Sequence, residues 1–189
     1  MHLTLLPLLS LTSTTIATIS RFPNPIETDV IPLHTLPTIF PPPITADAVS
    51  VEAIRQTLAL YPFAIDGKNF AALSQVFTSD AVANYSAPLN VLSPLSDIQK
   101  TLSASLACVT TQHLYGTQLI DIVSPFSAQS VTYFQAAHFG TGNLAKEVAT
   151  AHGQYQDVWA RQRDGTWRIV HRNLVYMSEV LGNPMVFVC

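Results

Sequence analysis

The sequence predicts an α+β domain, helices first and an antiparallel sheet after them, on three observations. Between residues 45 and 106 apolar side chains recur at the spacing of a helix face. From Thr110 onward the apolar period changes to two, the period of a strand with two faces. Within "RDGT", Asp164-Gly165 separates two such alternating runs and marks a hairpin tip. Helices followed by hairpin-connected strands form an α+β fold. A sheet of this kind can curl under its helices and leave a pocket between the layers.

The elements follow in order. "TADAVSVEAIRQTLALY" offers Thr45 and Asp47 as N-caps, and Val51, Ile54, Leu58 and Tyr61 repeat at helical spacing. Pro62 is expected to kink or end that helix, since proline lacks a backbone donor. A second short helix is expected after "DGKN", with Phe70, Leu73 and Phe77 on one side, and "AVANYSA" reads as a short strand. A third helix starts near Pro94–Asp97 with Ile98, Leu102 and Leu106 as its stripe. Strands fit residues 111–122, 130–140, 146–161 and 166–177.

The flanks read differently. Leu3–Leu11 is an apolar run followed by small hydroxyl residues, so residues 1–20 are expected to be a signal peptide and the chain secreted. Seven of the 13 prolines lie between Pro23 and Pro43. Residues 21–44 are therefore expected to be an extended lead-in, neither helix nor central strand. Ile31, Leu33, Leu36, Ile39 and Phe40 make it apolar enough to dock over a domain spanning 45–189. With two cysteines in an oxidising compartment, a Cys108–Cys189 bridge is the expectation and two thiols the alternative. "NYS" at Asn84 is a formal glycosylation sequon.

Composition limits the function. Charged residues are 11% of the chain, the net charge is −3, and no basic patch is visible, which argues against nucleic acid as a partner. Beyond the signal no segment is long and apolar enough to span a bilayer, so no membrane role is expected. Two histidines stand out in this charge-poor chain. "TQHLYG" puts Thr111, His113, Tyr115 and Thr117 on one strand face, and "FQAAHFG" puts Phe134, Ala136, His138 and Gly140 on one face of the next. If the two strands pair about a midpoint near Pro125, His113 and His138 sit nearly opposite each other over the pocket. Asp66, at the end of the first helix, can reach an imidazole from above and fix its tautomer. Tyr85 lies in an apolar strand and needs a partner for its hydroxyl.

The order "AIDGKNFAALSQVFTSDAVANY", "TQHLYG", "QAAHFG", "RDGTWRI" resembles scytalone dehydratase and the polyketide-cyclase-like, SnoaL-like branch of the nuclear-transport-factor-like fold. The resemblance covers about 130 residues. It implies a curved antiparallel sheet closed by three N-terminal helices into a cone, and a lyase without a cofactor that removes water from a ring alcohol beside a ketone. His113 matches the family's base, and His138 with Asp66 its supporting pair. Tyr85 matches one of two tyrosines that polarise the substrate carbonyl; the other position is Ile65. The asparagine that meets the leaving hydroxyl falls at or near Gln156. Gln156, Ile65, Tyr115, Phe134 and Val158 are the expected substrate-binding residues.

An imidazole with an ordinary pKa of about 6.5 is suited to taking a carbon-bound proton near neutrality. The same groups serve elimination, isomerisation, ring closure, or formation of an unsaturated intermediate that undergoes cycloaddition. The expected substrate is an apolar polyketide- or terpenoid-like ketone. The rival from another class is a secreted carrier of an apolar metabolite. A metal held by His113, His138, Asp66 and His152 lacks supporting spacing. Pairing of two copies through an open sheet face would use Tyr155, Asp157 and Trp159.

Overall fold

The computed structural model describes residues 28–40 and 47–188. The expected signal peptide and the Cys189 partner of the expected bridge lie outside the described residues. In chain order the elements are α1 (Leu36–Ile39), α2 (Ala48–Asp66), β1 (Phe77–Asn84), β2 (Val91–Leu92), α3 (Leu95–Ser105), β3 (Val109–Ser124), β4 (Ser127–Gly140), β5 (Val148–Arg161), β6 (Trp167–Tyr176) and β7 (Leu181–Gly182). Short 3-10 turns occupy Leu33–Thr35, Phe70–Gln75, Gly142–Leu144 and Pro184–Phe187.

Helix α2 starts where a capping side chain is available. Asp47 accepts from the Ser50 N–H at 3.0 Å and from the Ser50 hydroxyl at 2.6 Å. It buries Ile54, Leu58, Tyr61 and Ile65, one stripe at i, i+4, i+7 and i+11. Of the two expectations at Pro62, a kink or an end, the second is corrected: the helix runs on to Asp66. One backbone bond is lost at Pro62, but the buried stripe continues on both sides of it and holds the last turn. Asp66 thus stands at the helix end. The chain then reverses, with the Asn69 N–H donating to Ala64 O at 2.8 Å. The second expected helix is a 3-10 turn, and the third is α3.

The seven strands form one mixed sheet, in the order β2-β1-β6-β5-β4-β3, with β7 on β5. The expectation of a purely antiparallel sheet is corrected at one place, since β1 pairs β6 in parallel. The Asp-Gly hairpin between β5 and β6 is present, with Gly165 at φ +86° and the Gln162 N–H on Thr166 O at 2.7 Å. The sheet's inner face packs against α2 and α3 around Leu58, Leu73, Phe77, Ile98, Trp159 and Ile169.

The outer face is covered in part, while Leu114, Tyr133 and Phe139 on it stay exposed. Gln156 accepts from the Ile31 N–H through Oε1 and donates to Ile31 O through Nε2, both at 2.7 Å. Asn173 donates to Thr28 O at 2.8 Å, and Leu36 and Phe40 are buried against Val131. The described part of the Pro-rich lead-in therefore docks as a strap over β4, β5 and β6. Within it, Leu33–Ile39 forms one 3-10 turn and one helical turn, where a chain free of helix was expected. Pro37 sits in the first turn of α1, where its missing donor costs nothing.

Candidate active site

Strand register decides what meets over the inner face. β3 and β4 pair Thr111 with His138 and His113 with Ala136. Two irregularities, between Tyr115 and Gln118 and between Ile122 and Ser124, shift the register from the hairpin tip. The histidines are thus diagonal neighbours and not directly opposite, with ring centroids 6.1 Å apart and planes at 77°. Both line a cavity of about 470 Å³, together with Tyr61, Ile65, Tyr85, Phe134 and Tyr155.

Asp66 reaches down from the end of α2 and pairs with His113. Its Oδ1 lies 2.7 Å from His113 Nδ1, its Oδ2 accepts the His113 backbone N–H at 2.9 Å, and Oδ1 also accepts the Thr111 hydroxyl at 2.8 Å. A carboxylate can only accept, so Nδ1 carries a proton, and in the neutral ring Nε2 keeps its lone pair. Burial alone would raise the Asp66 pKa, but the bonds from the His113 ring and backbone and from Thr111 lower it below its ordinary value. The expected Asp66–His138 pair is corrected here: the aspartate serves His113. His138 instead places Nδ1 3.2 Å from Ala149 O, which makes that nitrogen the donor. Burial, then the neighbouring His113, lowers the His138 pKa to about 4, so this ring is neutral at physiological pH. Phe187, from the turn after β7, packs on His138 with centroids 4.7 Å apart.

The phenols form the opposite wall. Tyr85 lines the cavity and its hydroxyl lies 3.1 Å from that of Tyr61. Ile65 lines the cavity without a polar atom, yet one helical turn earlier Tyr61 supplies a second hydroxyl. The sequence held that signal: Tyr61 and Ile65 are i and i+4 on α2 and share a face. Burial raises the pKa of both phenols, so both are donors.

The remaining assignments divide. Phe134 lies in the cavity, stacked on Tyr155 at 4.4 Å. Tyr115 points inward behind Tyr155 and does not line the cavity, and its buried hydroxyl faces Arg172. Gln156 and Val158 face outward under the strap and cannot touch a substrate in the cavity. Tyr155, Asp157 and Trp159 are the inward residues of β5, so they do not form an outer pairing face. Trp159 donates to Ser130 Oγ at 2.9 Å, and Asp157 forms a fully buried pair with Arg172, at 2.7 Å from Nε and 2.8 Å from Nη2. That pair was not foreseen. An extra residue at Val170, between Ile169 paired with Trp159 and His171 paired with Val158, turns Arg172 inward.

Among the described residues, the cavity lining contains no Lys, Arg, Asp or Glu. The arrangement can take a proton at His113 Nε2, hold the resulting charge with Asp66, and donate hydrogen bonds from the phenols.

No curated protein sequence matches this chain. Among solved structures, a proposed scytalone dehydratase from Novosphingobium aromaticivorans is similar at 24% identity and a TM-score of 0.64, over 72% of this chain and 89% of its own. A nuclear transport factor 2-like superfamily protein from Salmonella enterica follows at 16% identity and TM-score 0.61, over 71% and 95%. A hexachlorocyclohexane dehydrochlorinase of type 2 is similar at 11% identity and TM-score 0.58, over 72% and 88%. At such identities the likeness is one of fold. The profile of the SnoaL-like domain matches residues 46–173, and the chain belongs to that family.

Proposed function

We propose that this protein is an acid–base lyase or cyclase acting on an uncharged, apolar ketone of polyketide or terpenoid type. The observation that carries this reading is the Asp66–His113 pair opening onto an apolar cavity across from two bonded phenols. His113 Nε2 takes the proton from the carbon beside the ketone. Tyr85, bonded to Tyr61, donates to the carbonyl oxygen as it becomes an enolate. Asp66 stabilises the imidazolium. With a β-hydroxyl present, His113 returns its proton to that oxygen. The C–H and C–O bonds break, a C=C bond forms and water leaves. With no leaving group, returning the proton to another carbon gives isomerisation, and an unsaturated product can close a ring within the cavity. Neutral His138 has Nε2 free to accept a substrate hydroxyl. The dehydratase and dehydrochlorinase among the structural neighbours are consistent with elimination as the reaction type.

A carrier would bond its polar groups to protein and leave an apolar wall. Here His113 and His138 bond protein through Nδ1 and not through Nε2, and with Tyr85 they line the same cavity, which favours catalysis. The test is a screen of compact, uncharged β-hydroxy ketones, following the absorbance of the conjugated product. His113→Ala should lose about 10²–10⁴-fold in rate, as expected for a positioned general base, and Asp66→Asn should lose less. Turnover of a true substrate by His113→Ala at the wild-type rate would refute the mechanism.

A further inference from the structure

The reaction as written leaves one charge unused. Arg172 is fully buried behind the cavity wall and does not line the cavity. Its Cζ lies 4.0 Å from the Tyr155 ring centroid and 4.5 Å from that of Tyr61, and Phe77 lies 5.3 Å away. Asp157 takes Nε and Nη2, and the guanidinium also interacts with the Tyr61 and Tyr115 hydroxyls. Buried ion pairs can often be replaced by apolar residues without loss of stability. Folding by itself therefore gives little reason for a cation here.

The surrounding groups suggest a reason. The phenols of Tyr61 on α2, Tyr85 after β1, Tyr115 on β3 and Tyr155 on β5 all face Arg172 or one another. Burial raises the pKa of all four, and the Arg172 charge opposes that rise in each. Asp157 and, beyond it, the imidazole of His171 are the other titratable neighbours. A cation over an aromatic face also attracts the ring and fixes its position.

We propose that Arg172 is a positioning residue for the phenol pair. Held by Asp157, its guanidinium fixes the Tyr61 ring so that the two hydroxyls meet, and its charge favours negative charge growing on the oxygen that Tyr85 touches. The idea rests on the acid–base reading above, but its test needs no substrate. In Tyr85→2,3,5-trifluorotyrosine protein, whose ring ionises more readily than tyrosine, the titration is followed by fluorine NMR. Arg172→Met should move the midpoint up, since the cation is gone. Asp157→Asn should move it down, since the cation loses its counter-charge. If Arg172→Met fails to fold, Arg172→Met with Asp157→Leu removes both charges together and should still move the midpoint up. A merely structural pair would change the unfolding midpoint and leave the titration in place. Midpoints that stay put in folded variants, or that move in the same direction for Arg172→Met and Asp157→Asn, overturn the proposal. A failed ketone screen would instead count against the acid–base reading and leave this result standing.

Discussion

Two carboxylates of this protein each hold one basic side chain, and the two pairs differ in burial. Asp157 and Arg172 are both fully buried, and two parallel bonds lock them. Asp66 and His113 keep 23% and 7% of their side-chain surface, at the edge of a cavity. The first partner is always charged, and the second changes its charge when it takes a proton. A sealed pair with a fixed charge can act only through its field. An open pair with a titratable partner can exchange a proton with a ligand. The same contact chemistry thus gives opposite capacities, and burial decides between them.

Breaking each pair should show the difference. The largest expected effect is on the sealed pair. Arg172→Ala leaves Asp157 as an unpaired buried carboxylate, at a cost of about 3–5 kcal/mol in denaturant unfolding. A cost below about 1 kcal/mol would mean that water reaches Asp157.

The next effect reads the cavity's response to pH. His138 is held neutral in the fold, with its pKa lowered from 6.5 to about 4. As pH falls from 6.5 to about 4, the unfolded chain takes up a proton that the native His138 does not. Stability should therefore fall across that window by roughly 3 kcal/mol and level off below it. Asp66, whose folded pKa is also lowered, adds a loss in the same direction at more acid pH. In His138→Asn, whose amide can still donate to Ala149 O, the fall between pH 6.5 and 4 should be largely absent. An unchanged slope in that variant would assign the acid sensitivity elsewhere.

The smallest stability effect should come from the open pair. Asp66→Asn keeps one acceptor oxygen, so either the Oδ1 bonds to Thr111 and the His113 ring or the Oδ2 bond to the His113 backbone is lost, and it should cost about 2 kcal/mol. Equal costs for Asp66→Asn and Arg172→Ala would mean that burial does not separate the two pairs.

The site was legible wherever chemistry is written locally. Asp66 at a helix end, His113 and His138 on facing strands and Tyr85 in an apolar run are all visible in the chain, and the cavity contains or adjoins each of them. Tyr61 was readable as a helix-face residue but not as the partner of Tyr85, because that contact joins residues 24 apart. The choice of His113 over His138 for Asp66 was not readable either. The Asp66–His113 bond joins the end of α2 to β3 across 47 residues, and two irregularities in the β3–β4 ladder displace the histidines along their strands.

By itself the sequence determined the α+β order, the four long strands and the starts of α2 and α3 to within a few residues, the Asp-Gly hairpin, and the inward set on β3 and β4. Periodicity, turn residues and apolar stripes are local properties, and each part of the chain carries its own. Only the tertiary structure decided the facing of β5 and β6. Gln154, Tyr155, Gln156 and Asp157 are all buried, because the cavity side covers one face and protein packing covers the other. With both faces buried, alternation no longer says which residues point in, and a shift of one residue exchanges the two sets. The extra residue at Val170 makes that exchange within β6 and carries Arg172 from the outer face to the layer behind the cavity wall.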